Sequence, residues 1–299
     1  MYAPKYYSKF KCIAHKCRHS CCVGWEIDVD EAALERYARL DGENGRAIRE
    51  SIEYFETPHF KLENGDRCPH LDQRGLCKII LGVGEEYLCD ICREHPRFYN
   101  YTCRGKEAGL GMCCEEACRI ILASDDYCEM AEIEGESAEP VAEDFDAVAH
   151  REKIYKILAD RSVKYSDRLH AICSEYGVST SVLSDSEWRA FFSGLEYLHG
   201  EDRRLFESFS SDIGCEEGNE KILERALAYF IYRHCSEAED ENELCTSLGF
   251  CLVCERLLAS MCACFKETDH FELAVTLSEE IEYSEENTEK IKEIFKGLS

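Results

Sequence analysis

The chain has 299 residues and carries 61 acidic against 35 basic side chains, a net charge of −26. That length buries a sizeable core, as two domains or one domain with a large appendage, and the charge repels nucleic-acid phosphates. No apolar run approaches the ~18 residues of a membrane span, and the first residues lack the apolar centre of a signal peptide. The expected setting is therefore cytoplasmic, with no nucleic-acid and no membrane partner. In that reducing compartment 21 cysteines, an odd and clustered set, argue for metal ligation or redox work rather than structural disulfides.

Residues 2–11 read as an extended arm leading into the first cysteine group, Cys12, Cys17, Cys21 and Cys22. Beyond it Trp25, Ile27 and Val29 alternate with acids, the period of a short strand. Asp30 is placed to cap a helix over residues 31–40, which Asp41-Gly42 breaks. A second helix is expected over 46–55, ending ahead of Thr57-Pro58. Asn64-Gly65 forms a turn that delivers Cys68. A short strand or helical turn follows at 75–82, then a short helix stopped before Pro96, a strand over 98–103 and a helix over 115–123. From Glu129 to Asp146 there are eight acids and no base, which is linker chemistry. Residues 145–159, 187–199, 221–235, 244–264 and 288–298 all carry helical apolar spacing. The expected fold is mainly α. A cysteine-rich, metal-stapled domain with short strands spans 1–128, an acidic linker 129–146 and an all-α helical domain 147–299.

Thirteen of the cysteines precede residue 129, mostly in close sets: Cys17 and Cys21, Cys89 and Cys92, Cys114 and Cys118. Loops of two to four residues bring thiolates to one metal centre at small entropic cost, so zinc and iron–sulfur ligation both suit the pattern. Cys245, Cys251, Cys254, Cys262 and Cys264 instead lie in an apolar helical run, where cysteine packs as a small hydrophobe. Cys128, Cys173, Cys215 and Cys235 are isolated and are assigned no role. There is no zinc-ribbon array, no ferredoxin run and no C-x-x-x-C-x-x-C, since residue 24 is Gly where that last pattern needs Cys. Dinucleotide-binding, P-loop, nucleophile-elbow and H-E-x-x-H motifs are missing as well.

Taken together, Cys12-x4-Cys17-x3-Cys21-Cys22-x-Gly24-Trp25, Cys68-Pro-His-Leu-x3-Gly75-Leu-Cys77, Cys92-x3-Pro96-Arg97 and Cys114-Glu-Glu-Ala resemble the flagellin lysine-N-methylases. These are cousins of the CxxCxxCC zinc- or iron-chelating proteins. Leu227-Ala-Tyr229-Phe230-Ile-Tyr-Arg233-His is similar to the family's downstream tyrosine and arginine segment. The sequence departs from the pattern in extra thiols at Cys89, Cys103, Cys113 and Cys118, and in Glu115 where Pro is expected. The resemblance implies methyl transfer from S-adenosylmethionine to flagellin lysines, with flagellin as partner. It also implies a [4Fe-4S] cluster, with zinc as the alternative, drawn from Cys12, Cys17, Cys21, Cys22, Cys68, Cys77, Cys92 and Cys114.

A lysine amine with pKa ~10.4 must lose its proton before it attacks a methyl group. Asp28, Asp30, His95 and Tyr99 lie near the cysteine motifs and are candidates for that task, Asp28, Tyr99 and His95 foremost. Arg97 offers a planar fork for the carboxylate of S-adenosylmethionine, and Trp25 a face for its sulfonium or adenine. Two other classes stay open. One is a non-catalytic chelator of zinc or iron whose helical half docks a partner. The other is a thiol oxidoreductase using Cys89-x-x-Cys92, disfavoured because no thioredoxin-like βαβ pattern surrounds it.

Overall fold

The structure, a computed structural model, describes residues 1–135, 138–141, 145–211 and 219–297. Cys215 and part of the acidic stretch, residues 136–137 and 142–144, lie outside the described residues. In chain order the elements begin with β1 (Tyr2–Pro4), α1 (Glu31–Arg39), α2 (Gly42–Glu50), β2 (Ile52–Tyr54), β3 (Pro58–Phe60), α3 (Lys78–Val83) and α4 (Asp90–Glu94). Then come β4 (Arg97–Thr102), β5 (Gly105–Leu110), α5 (Glu115–Ala123) and β6 (Met130–Glu132). The rest is helical: α6 (Ala147–Leu158), α7 (Tyr165–Tyr176), α8 (Asp185–Ser193), α9 (Arg203–Phe206), α10 (Glu220–His234), α11 (Glu241–Cys264), α12 (His270–Leu277), a π-turn at Ser278–Glu282, and α13 (Glu285–Phe295). The described residues are thus mainly helical with short strands.

The chain divides into two compact units, Lys11–Arg97 and Met1–Phe10 with Phe98–Ser299. The division falls at Lys11 and Arg97, whereas the composition change that suggested a boundary lies at 129–146. The physical reason is burial. Leu110, Met112, Ala117, Cys118, Ile121 and Leu122 pack in one continuous core with the C-terminal helices, so the segment after Arg97 has no core of its own.

In the smaller unit Asp30 caps α1, accepting from the Ala33 amide at 2.8 Å, as its sequence position dictates. The second helix starts earlier and ends earlier than expected. At its end the Ser51 hydroxyl donates back to the Ile48 carbonyl at 2.7 Å, and the chain turns into the β2–β3 hairpin, with Ile52 opposite Phe60. Ile27 and Val29 are buried while Asp28 is exposed, the alternation read from sequence. That segment pairs with β3 through Val29 N to Pro58 O at 2.8 Å and Phe60 N to Ile27 O at 3.0 Å. Residues 78–83 form a helix rather than a strand.

In the larger unit the N-terminal arm is a strand. β1 lies between β5 and β6 in a sheet ordered β4-β5-β1-β6, parallel to β5 and antiparallel to β6. Helix α5 packs on α10 and α12, and α11 packs on α10, α12 and α13. By length and composition α11 is apolar enough to cross a membrane, which corrects the expectation that no such run exists. Its apolarity has a local cause, because most of it is buried as the central helix of this core.

Candidate functional site

The loop from Cys68 to Cys77 explains its own sequence. Asp72 accepts from the amides of Arg74 at 2.8 Å and Leu76 at 2.9 Å, an Asx turn that folds the segment back on itself. Gly75 adopts φ +76° there, a conformation that favours glycine. The turn brings Leu71 opposite Cys77. His70 packs edge-on against Phe60 at 4.7 Å and its Nε2 lies 2.8 Å from the Ser51 hydroxyl. Burial, with Lys78 adding, depresses the His70 imidazole to about 4, so it stays neutral and serves as a wedge under the loop.

Cys68 is tied to the first cysteine group through its amide, which donates to the Cys22 carbonyl at 2.9 Å. A hydrogen bond from Cys21, with help from Ser20 and Arg67, lowers the Cys22 thiol to about 7. Burial pushes Cys68 up to about 12, with the neighbouring sulfurs of Cys22, Cys77 and Cys89 acting in the same direction. Cys77 is raised by burial while the amides of Ile79 and Ile80, at the start of α3, donate to its sulfur. Cys89 and Cys92 lie 3.5 Å apart, sulfur to sulfur. The shared hydrogen bond lowers Cys89 and raises Cys92, and Cys89 also accepts from the Cys92 amide.

Cys22, Cys68, Cys77, Cys89 and Cys92 thus form one thiol cluster, each close enough to shift the ionisation of others. Among the described residues no three His, Cys, Asp or Glu side chains enclose a common point at ligand distance, so holding an ion requires side-chain rotation. The donor set fits a thiolate-bound metal or cluster: there are at least four sulfurs, and backbone amides are already directed at three of them. Cys12 and Cys21 are exposed and Cys17 is half-buried. Cys114 precedes α5 in the larger unit. Cys89, which the resemblance left out of the ligand set, is 1% exposed and central to the cluster; its spacing to Cys92 was the available signal.

The other candidates stand apart in character. Asp28 is exposed on the strand-like segment beside β3, and Trp25 is half-buried just before it. His95 follows α4, and burial together with Arg97 depresses its imidazole to about 4. That leaves it neutral and a weak base. Arg97 donates from Nη1 to the Arg93 carbonyl at 3.4 Å. Tyr99, in the larger unit, has the Lys106 ammonium 4.1 Å from its ring centre.

The larger unit has its own polar centre. Arg233 donates from Nη1 to the hydroxyls of Tyr283 at 3.1 Å and Tyr229 at 3.4 Å, and its guanidinium lies over the rings of Phe98 and Tyr283. Glu282, in the π-turn, accepts from His234 Nε2 at 2.8 Å and from the Ser278 hydroxyl at 2.6 Å. Burial would raise the Glu282 carboxyl, but His234, Arg233 and Ser278 hold it below the ordinary range. Cys113 hydrogen-bonds Tyr283 and is nonetheless pushed up by burial. Sequence reasoning named Tyr229, Arg233 and the extra thiol Cys113 but not Tyr283 or Glu282, whose partners are remote in the chain. A cavity of about 470 Å³ lined by Lys9, Ile120 and Asp125 among others shares no residue with either centre.

Fold and site define a mainly helical protein with a reduced thiol cluster in its smaller unit. No family model matches the chain, and no solved structure matches it. Over 136 residues it is 26% identical to a lysine-N-methylase of Salmonella typhimurium, covering 43% of this chain and 34% of the relative. A lysine-N-methylase of Salmonella choleraesuis gives the same identity and coverage. The flagellar biosynthetic protein FliU of Salmonella muenchen is 25% identical over 136 residues, 43% of this chain and 80% of its own. The match therefore spans about a third of the two lysine-N-methylases. It is a distant similarity to proteins named lysine-N-methylase and FliU, in line with the resemblance of the cysteine segments.

Proposed function

We propose that the protein transfers methyl groups from S-adenosylmethionine to lysine ε-amines of flagellin. The observation that carries this reading is the relationship to proteins named lysine-N-methylase, and the FliU relative supports the flagellar setting. S-adenosylmethionine supplies an electrophilic methyl group: its carbon–sulfur bond breaks as the nitrogen–carbon bond forms, and the amine gives up a proton. Trp25 offers a ring face to the sulfonium and Arg97 a cation to the carboxylate. The thiols of Cys22, Cys68, Cys77, Cys89 and Cys92 would hold a [4Fe-4S] cluster, which supplies electron transfer or a structural cross-link when bound.

With His95 depressed to about 4, its imidazole cannot hold the proton of an ammonium with pKa ~10.4. The amine must therefore deprotonate to solvent, and the initial rate should rise from about pH 7 to about pH 9. Rates on purified flagellin with labelled S-adenosylmethionine decide the matter. A flat profile contradicts the deprotonation argument, and no transfer to any flagellin lysine defeats the reading. A chelator without transferase activity is the second reading, favoured by the thiol cluster alone.

A further inference from the structure

The smaller unit has a surface feature that its own folding does not account for. At the tip of the β2–β3 hairpin Tyr54 is 67% and Phe55 75% exposed, the two most exposed of the large hydrophobic side chains among the described residues. An aromatic pair in a tight turn gains little for the fold, where Gly, Asn, Asp or Ser meet the backbone's needs better. The Phe55 ring stacks on His59 at 6.1 Å and 12°. His59 faces Glu53 across the hairpin, and its two ring nitrogens lie 3.6 Å from Glu26 and 3.9 Å from Glu53. One face of the hairpin therefore presents an aromatic ring flanked by two carboxylates.

This face already binds an ammonium, since Lys61 Nζ sits 2.8 Å from Glu53 Oε1. Glu26, with a side chain 65% exposed, pairs with no lysine or arginine among the described residues. We propose that the face of the hairpin tip carrying Phe55 and His59 is a docking surface for a lysine-bearing segment of a partner polypeptide. The aromatic ring packs the side chain's aliphatic stem and faces its cation, and Glu26 and Glu53 receive the ammonium. Charge complementarity selects this occupant: the chain's net charge is −26, and both carboxylates lie within 4 Å of the His59 ring on which Phe55 stacks. The inference deepens the lysine-methylase reading by naming how the substrate is held, but the binding it describes does not depend on any methyl transfer.

The test uses full-length protein and a fluorescent, unstructured Ser/Gly peptide carrying three lysines, read by anisotropy. The wild type should bind it, and acetylating the lysines should weaken binding at least about tenfold. Phe55→Ser and Glu26→Gln should each weaken it about three- to tenfold while thermal melts stay unchanged, since both side chains lie largely in solvent. Equal binding of the acetylated peptide, or wild-type binding by both variants, overturns the proposal. So does a concentration-dependent dimer abolished by Phe55→Ser, which would make a second copy the occupant. Methyl transfer assayed in parallel separates the two readings. Lysine-dependent docking without transfer leaves the surface and defeats the enzyme, whereas transfer with docking untouched by the variants does the reverse.

Discussion

In the larger unit, charge is buried in pairs that the fold satisfies from several elements at once. Arg151 on α6 holds Glu107 on β5 through two bonds, at 2.7 and 2.9 Å, and also reaches the Ser236 hydroxyl at 2.6 Å. Arg168 and Arg161 converge on Glu224 of α10, with the Tyr127 hydroxyl as a further donor. Around these pairs lies an apolar core large enough to shelter them. The smaller unit offers a short list instead: Ile27, Val29, Tyr37, Ile48, Phe60 and a few others, with Cys68 and Cys89 counted among its core residues. A core of that size gains from any cross-link, and a metal held by its thiols, as proposed above, would supply one. The lesson is that cysteines alike in composition are placed differently, packed as hydrophobes in α11 and gathered sulfur against sulfur in Lys11–Arg97.

The contrast is broken most severely at the thiols. Cys68→Ser should remove the metal and unfold Lys11–Arg97 together, because for structural metal sites binding energy of about 10 kcal/mol or more is folding energy. Limited proteolysis with metal analysis reads both effects. Cys254→Ser, in the apolar helix, should leave metal content unchanged. If Cys254→Ser loses metal and Cys68→Ser does not, the two cysteine populations have been assigned the wrong way round.

Next in size is the buried pair of the larger unit. Arg151→Met leaves Glu107 buried without its partner and should cost about 3–5 kcal/mol, with the double variant Arg151→Met, Glu107→Leu recovering most of it. Chemical denaturation checks this; a loss under about 1 kcal/mol would mean that water reaches the site.

A smaller effect follows from His70. Its folded-state value is depressed from 6.5 to about 4 by burial, so below pH 6.5 the unfolded chain binds a proton that the folded chain refuses. Stability is fully present above about pH 6.5 and is lost as pH falls towards about 4, by at most about 3 kcal/mol. His70→Gln should flatten that slope in the smaller unit and leave the larger unit's transition unchanged. Smallest is Asp30→Ala, which removes the cap of α1 and a bond to the Asp90 amide at 2.7 Å. It should cost about 1–2 kcal/mol and shift only the smaller unit's melting.

What the sequence made legible was local. Asp30 announced α1, Asn64-Gly65 the turn, and the apolar spacing α6, α10, α11 and α13, because caps and periodicity act within a few residues. The helix expected over 46–55 takes in β2 at 52–54, whose strand character comes from pairing with β3, a partner that helical periodicity does not register. The division of the chain was hidden for a similar reason. An acidic stretch changes composition conspicuously, yet α5 before it and α10 after it share one core. At the site, spacing singled out Cys89 with Cys92, while Cys22, Cys68 and Cys77 were named through the family pattern, which left Cys89 aside. The Arg233 centre needs Tyr283 and Glu282, about fifty residues further along, and only folding reveals that proximity.

The most direct test of the central claim, that the thiols of Lys11–Arg97 hold one metal centre, is X-ray absorption at the metal edge on anaerobically purified full-length protein. The account predicts stoichiometric metal with sulfur neighbours at about 2.3 Å. For a [4Fe-4S] cluster there should be about four irons per chain and an added iron–iron shell. Cys22→Ser and Cys89→Ser should each abolish the sulfur shell. Protein free of bound metal, or metal coordinated by oxygen and nitrogen alone, would contradict it.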